Sequence, residues 1–117
     1  MKLAIIGSRS INNIDIAPYI QEKPTEIISG GARGVDTLAS EYARRFNIKL
    51  TEFLPDYERY GKGAPIRRNT LIVEACDSLI AFWDGKSKGT LNSINQAKKL
   101  GKKTQVFLVQ SIRQEPR

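Results

Sequence analysis

Short apolar runs, most of them ending in a glycine turn, alternate along this chain with stretches whose apolar residues recur every three or four positions. Leu3-Ala4-Ile5-Ile6 leads into Gly7, Ile27-Ile28 into Ser29-Gly30-Gly31, and Leu79-Ile80-Ala81-Phe82 into Trp83-Asp84-Gly85; a last run covers 106–109. Continuous apolarity, rather than strict alternation, predicts parallel strands covered on both faces. Ile48 and Leu50 alternate with Lys49 and Thr51, so 48–54 reads as an edge strand. Between the strands, Val35, Leu38, Ala39, Tyr42, Ala43 and Phe46 draw one apolar stripe and predict a helix over 34–46. Leu91, Ile94, Ala97 and Leu100 predict a second helix that stops at Gly101. Weaker helical patterns cover 15–22, interrupted at Pro18, and 66–76.

The order is βαβαβ followed by αβαβ, an α/β fold with one five-stranded parallel sheet between helical layers and right-handed crossovers. No internal repeat or interdomain linker divides the chain. A single Rossmann-like domain is expected over 1–110, with a polar tail over 111–117. The segment 56–64 reads as the one long irregular connection, a length at which loops often serve function.

Composition narrows the chemistry. The 117 residues suit one core, and 19 Lys+Arg against 12 Asp+Glu leave a net charge of +7. Such a balance favours an anionic partner: a nucleotide, a nucleic acid or an acidic surface. The basic residues fall in dispersed pairs, such as Arg44-Arg45 and Lys98-Lys99, which also fit a solvated surface. Absence of histidine removes the commonest general base and metal ligand, and one cysteine, Cys76, builds neither a disulfide nor a thiolate zinc site. Ser-His-Asp hydrolysis, Cys-His proteolysis and ordinary zinc hydrolysis are excluded; Cys76 reads as a small buried apolar residue. Neither a metal nor a cofactor is expected. The first apolar run is too short for a signal peptide or a membrane span, so a cytoplasmic protein without membrane contact is expected.

Ligands of open parallel sheets bind beyond the carboxyl ends of the strands, where strand order reverses. Gly7-Ser8-Arg9, the segment from Ser29 through Gly30, Gly31 and Arg33 to Gly34, and the segment from Trp83 through Asp84 to Thr90 all follow predicted strands and so share that edge. Glycine turns leading into helix N-termini are the parts of a phosphate cradle. Arg9, Arg33, Lys86 and Lys88 add charge there, and Ser8, Ser29, Ser87 and Thr90 add hydroxyl donors. The dinucleotide fingerprint is matched only in part: Ser29 stands at its first glycine and the turn follows the second strand, while Glu52 falls about where its ribose acid would. Gly85-Lys86-Ser87 mimics the end of a P-loop, but Ile80 occupies the place of its first glycine.

Taken together, these residues resemble the SLOG superfamily, which joins the Smf/DprA DNA-processing proteins with the LOG nucleotide hydrolases. Its small stand-alone bacterial and phage members are the nearest in kind. The stretch from Ile27 through Ser29-Gly30-Gly31-Ala32-Arg33-Gly34 to Asp36 resembles the family's strand-turn-helix. Arg68-Asn69 resembles its arginine-bearing helix before strand four, and Ser87-Lys88-Gly89-Thr90 its final glycine-threonine turn. The resemblance runs from Lys2 to about Val109 and implies a sheet ordered 3-2-1-4-5, a homodimer, and a phosphorylated nucleotide or nucleotide-derived signal held at the carboxyl edge. Adenine-containing ligands, NAD-derived or cyclic, are implied, for sensing or sequestration.

One departure weighs against catalysis. LOG hydrolases carry a glutamate three residues after the glycine-threonine pair, where this chain has Ser93. An alcohol cannot stabilise the cationic sugar of glycosidic cleavage as a carboxylate does. Nucleotide N-glycosidase activity through Asp36 or Asp84 is therefore the alternative, no catalytic residue is assigned, and single-stranded DNA binding, as in DprA, is a further alternative. Tyr57, Tyr60 and Trp83 are the aromatics available to stack on a base, although Trp83 equally suits the core. Asp36 serves either as a first-turn acid or as a ligand contact, and Asp84 as a turn cap or a ligand contact.

Overall fold

The structure, a computed structural model, describes residues 1–109. Five parallel strands form one sheet in the order β3-β2-β1-β4-β5, with β1 at Lys2–Gly7, β2 at Glu26–Ser29, β3 at Lys49–Glu52, β4 at Ser78–Trp83 and β5 at Lys103–Leu108. Four helices accompany them: α1 at Val35–Arg45, the single turn α2 at Tyr57–Tyr60, α3 at Ala64–Ala75 and α4 at Lys88–Lys99. The proposed tail, 111–117, lies outside the described residues.

Both faces of the central strands are covered, which is why their apolar runs are unbroken. Leu3, Ile5, Ile27, Ile80 and Phe82 face Val35, Ala39, Tyr42 and Ala43 of α1. Ala4, Ile6, Ile28, Leu79 and Ala81 face Ile72, Val73 and Cys76 of α3 and its boundary, with Ile94 and Ala97 of α4. The two sets alternate along each strand, as the two-residue period of a pleated strand requires.

Three expectations need correction. The helix predicted over 15–22 is only a 3-10 turn at Ala17–Tyr19. Pro18 belongs in the first turn of a helix, and Pro24 disfavours helical backbone just before it, so little more than a turn remains between them. Tyr19 instead lays its ring against Phe82 and Phe107, with centroids 5.3 and 4.7 Å away. The segment 56–64 is not irregular: α2 is capped by the Asp56 carboxylate, which accepts a hydrogen bond from Arg59 N at 3.1 Å, and a 3-10 turn at Gly61–Gly63 carries the chain into α3. Finally, β5 starts at Lys103 rather than 106 and is not covered on both faces. Phe107 packs inward while Val106 and Leu108 are exposed at the sheet edge.

Among the described residues no helix is long and apolar enough to cross a membrane.

Candidate functional site

The strand order reverses between β1 and β4, and a cavity of about 680 Å³ opens at the carboxyl ends of the strands there. Each wall comes from a different crossover. The loop after β1 gives Gly7, Ser8 and Arg9; the loop from β2 into α1 gives Gly30, Arg33 and Asp36. Arg68 and Asn69 come from α3, and the turn from β4 into α4 gives Asp84, Ser87, Gly89 and Thr90. All three predicted glycine turns therefore meet at one place.

Close approach of backbone to backbone makes this possible. Gly34 has φ +77°, and a Cβ there would sit 2.6 Å from Ser8 O and from Arg9 Cα, so only glycine lets the start of α1 dock on the β1 loop. At Gly30 a Cβ would lie 2.8 Å from both Arg68 Nη1 and Asp36 Oδ2. That space is used by the buried Arg68 guanidinium, which donates to Gly30 O at 2.7 Å, Phe53 O at 3.4 Å and Asn69 Oδ1 at 3.0 Å. One side chain of α3 thus ties together the ends of β2 and β3.

Asp36 is buried beside it and accepts the Ala32 N–H at 3.1 Å. Burial raises the pKa of its carboxyl above the ordinary value, against the opposing pull of that N–H and of the Arg68 charge. Arg68 is shifted down, chiefly by burial; Asp36 opposes the shift, and the like charge of Arg9 adds to it. Among the described residues the only ion pair within 4.0 Å is Lys49–Glu26, at 3.9 Å. Arg9, Arg33 and Arg68 accordingly line the same cavity with no carboxylate at ion-pairing distance. Asp36 and Asp84 line the cavity too, so three guanidinium groups face two carboxylates and the lining is cationic on balance.

Asp84 has a different task. Its Oδ1 accepts Lys86 N and Ser87 N, each at 2.8 Å, and its Oδ2 accepts Ser10 Oγ at 3.3 Å. Burial pulls its pKa upward, but these bonds and the neighbouring Ser8 hydroxyl together outweigh that and hold it below the ordinary carboxylate value. The result is a locked turn that presents Ser87, whose Oγ caps α4 by accepting Thr90 N at 3.3 Å. Ser8, almost fully buried, accepts Asp84 N on its own Oγ at 3.1 Å and stitches the β1 and β4 loops together.

Five expected residues do not line the cavity. Gly31 and Gly34 shape the loop from behind. Ser29 Oγ is fully buried next to the Asp36 carboxyl, outside good hydrogen-bond geometry. Trp83 packs against the second core and donates its Nε1–H to Ser87 O at 2.9 Å, so it braces the start of α4. Tyr60 lies near the guanidinium groups of Arg59 and Arg67, 5.3 and 5.7 Å from its ring centre. Conversely, Ser10, Asn12 and Ser93 line the cavity without having been singled out as ligand contacts. The polar run after Gly7 was the available signal for the first two. Ser93, at the place of the absent glutamate, donates its Oγ–H to Gly89 O at 3.3 Å.

Fold and site together define a doubly wound α/β domain with a polar, cationic cavity at its switch point. Among curated proteins, the Gene 61 protein of Mycobacterium phage D29 is similar, 36% identical over 81 residues that make up 64% of this chain and 65% of that protein. The chain thus spans slightly less than two thirds of that relative. No family model matches the sequence, and no solved structure matches it.

Proposed function

We propose that this chain binds a phosphorylated nucleotide, or a signal molecule derived from one, in the cavity at the carboxyl edge of its sheet, to sense or sequester it. The observation that carries the reading is the meeting of Arg9, Arg33 and Arg68 around one cavity with no carboxylate in ion-pairing range. Guanidinium groups match phosphate geometry, and the start of α4 adds the Gly89 N–H and a positive dipole end, the Thr90 N–H being taken by the Ser87 cap. Hydroxyl and amide side chains, Ser10, Asn12, Asn69 and Thr90 among them, suit the ribose of such a ligand. Resemblance to the SLOG superfamily supports the same assignment and favours adenine-containing compounds.

The start of α1 contributes less to phosphate binding than its glycines suggest. Its Val35 N–H is directed at Ser8 O, 3.4 Å away, and the Ala32 N–H is taken by Asp36. Phosphate belongs at the Arg9, Arg68 and Thr90 side of the cavity on this reading.

A panel of nucleotides in a thermal-shift assay at fixed ionic strength tests the assignment. A ligand at 100 times its Kd adds about 2.7 kcal/mol to stability, a rise of several degrees for a domain of this size. Unchanged melting with every phosphorylated compound defeats it.

Hydrolysis of the glycosidic bond is the second reading, favoured by one observation: the buried Asp36 carboxyl faces the same cavity. Release of free base from nucleoside monophosphates, lost in Asp36→Asn, supports it. Intact substrate at saturation leaves binding alone.

A further inference from the structure

We propose that the Asp36 carboxyl bonds a ribose hydroxyl of the bound nucleotide, and so makes the cavity select ribonucleotides over deoxyribonucleotides. The inference rests on nucleotide binding at this cavity and adds the class of nucleotide that it admits.

Asp36 lines the cavity although only 8% of it is exposed. Its position is set by the first turn of α1, where it sits, and by the Ala32 N–H, which donates to Oδ2 at 3.1 Å. Oδ1 accepts no hydrogen bond among the described residues. The Ser29 hydroxyl and the Gly30 N–H stand beside the carboxyl, and neither reaches hydrogen-bond geometry with it. Among those residues Ser29 Oγ alone is a side-chain polar atom sealed from solvent without a partner. Asp36 Oδ1 is therefore not sealed, and the space it opens on is the cavity that Asp36 lines. A polar atom so placed on a buried residue calls for a partner, which a ligand in the cavity supplies.

Arg68 decides which part of the ligand that is. At Gly30 a Cβ would lie 2.8 Å from both Arg68 Nη1 and Asp36 Oδ2, so guanidinium and carboxyl border the same small space. Nε and Nη1 of Arg68 are spent on Asn69, Gly30 and Phe53, while Nη2 makes no hydrogen bond among the described residues. An acceptor-only phosphate goes to that free donor and is repelled by a carboxylate. A hydroxyl can donate or accept, so it bonds a carboxyl oxygen in either protonation state. The sugar attached to the phosphate carries such groups. A site built to bond a substrate hydroxyl rejects the analogue that lacks it, because its own buried group is then left unpaired. Glu52, to which the partial dinucleotide fingerprint would give this task, is exposed, lies beside Gly31 and is not part of the cavity wall.

Titration calorimetry of the full chain with AMP, 2′-deoxy-AMP and 3′-deoxy-AMP reads the hydroxyl contribution as a ratio of affinities. The wild type binds AMP about tenfold or more tightly than one of the two deoxynucleotides, the worth of a hydrogen bond to a charged group. Asp36→Ala brings that ratio to about one. Asp36→Asn keeps an acceptor for the Ala32 N–H, and so the turn, and lowers the ratio to about threefold, the worth of a neutral bond. Glu52→Gln leaves it unchanged. Equal wild-type affinity for all three nucleotides, a tenfold ratio kept in Asp36→Ala or Asp36→Asn, or a ratio lost in Glu52→Gln overturns the role of Asp36 and leaves nucleotide binding standing. If the wild type binds none of the three, nucleotide binding and the role of Asp36 fall together.

Discussion

Arg68 and Arg9 show how two residues of the same type at one cavity do different work. Arg68 is buried and holds the carbonyl of Gly30, so it is part of the frame as well as the lining. Replacing it by methionine leaves a buried acceptor without its donor and Asp36 without its nearest cation. The expected cost is about 2–4 kcal/mol, measured by urea unfolding. Arg9 is exposed and makes no ion pair among the described residues. Arg9→Ala should shift unfolding by less than about 0.5 kcal/mol and weaken phosphate binding roughly tenfold, the worth of a charge-assisted hydrogen bond. Equal stability loss in both variants contradicts this division.

Asp84 offers a residue-scale test by pH. Its folded pKa lies below the ordinary 3.8, so the charged form is favoured by folding. Stability from this group is present above the unfolded value and disappears as pH falls through the lower folded value. Asp84→Asn should therefore be less stable than wild type at neutral pH, with the gap closing in strongly acidic solution. A gap independent of pH would mean that the turn depends on shape alone. Asp36 has the opposite sign: its raised pKa favours the protonated fold, so its contribution is greatest below the unfolded value and is lost as pH rises through the folded one.

Among the elements, α4 depends most visibly on a local signal. Ser87 caps it, Asp84 fixes the residues before it, and Trp83 holds Ser87 O. Ser87→Ala should cost about 1 kcal/mol in chemical denaturation; an unchanged midpoint would show that the Asp84 turn suffices. This element also shows what sequence can carry. Gly101 is a local signal, so the end of α4 could be read directly, whereas Ser87 reads from sequence as a hydroxyl donor and its capping of the start comes from the structure. Trp83 could not be read so, because its half-buried pose depends on a carbonyl four residues later and on neighbours from other elements. The 15–22 helix failed for a related reason: apolar residues there do recur, but two prolines leave no room for the pattern to become a helix. In β5 the apolar run resembled a covered strand, while only the sheet order reveals that it is an edge.

Viewed as a whole molecule, the chain places its functional asymmetry by topology. The convergence of the Gly7, Gly30 and Gly89 turns was legible, since each follows a parallel strand and strand order must reverse somewhere. The interior of the cavity was less so: Arg68 approaches from a helix 38 residues after Gly30, and nothing local records that contact. Net charge of +7 is spread over the surface, yet the arginines at the switch point stand apart because three of them line one cavity. Backbone amide shifts of the labelled protein, followed by NMR during titration with AMP, test this assignment most directly. The largest changes should fall on residues 8–10, 30–33 and 87–90, with Arg68 and Asn69 of α3. Changes centred on the lysines around 98–103, or no changes with any phosphorylated compound, would contradict it.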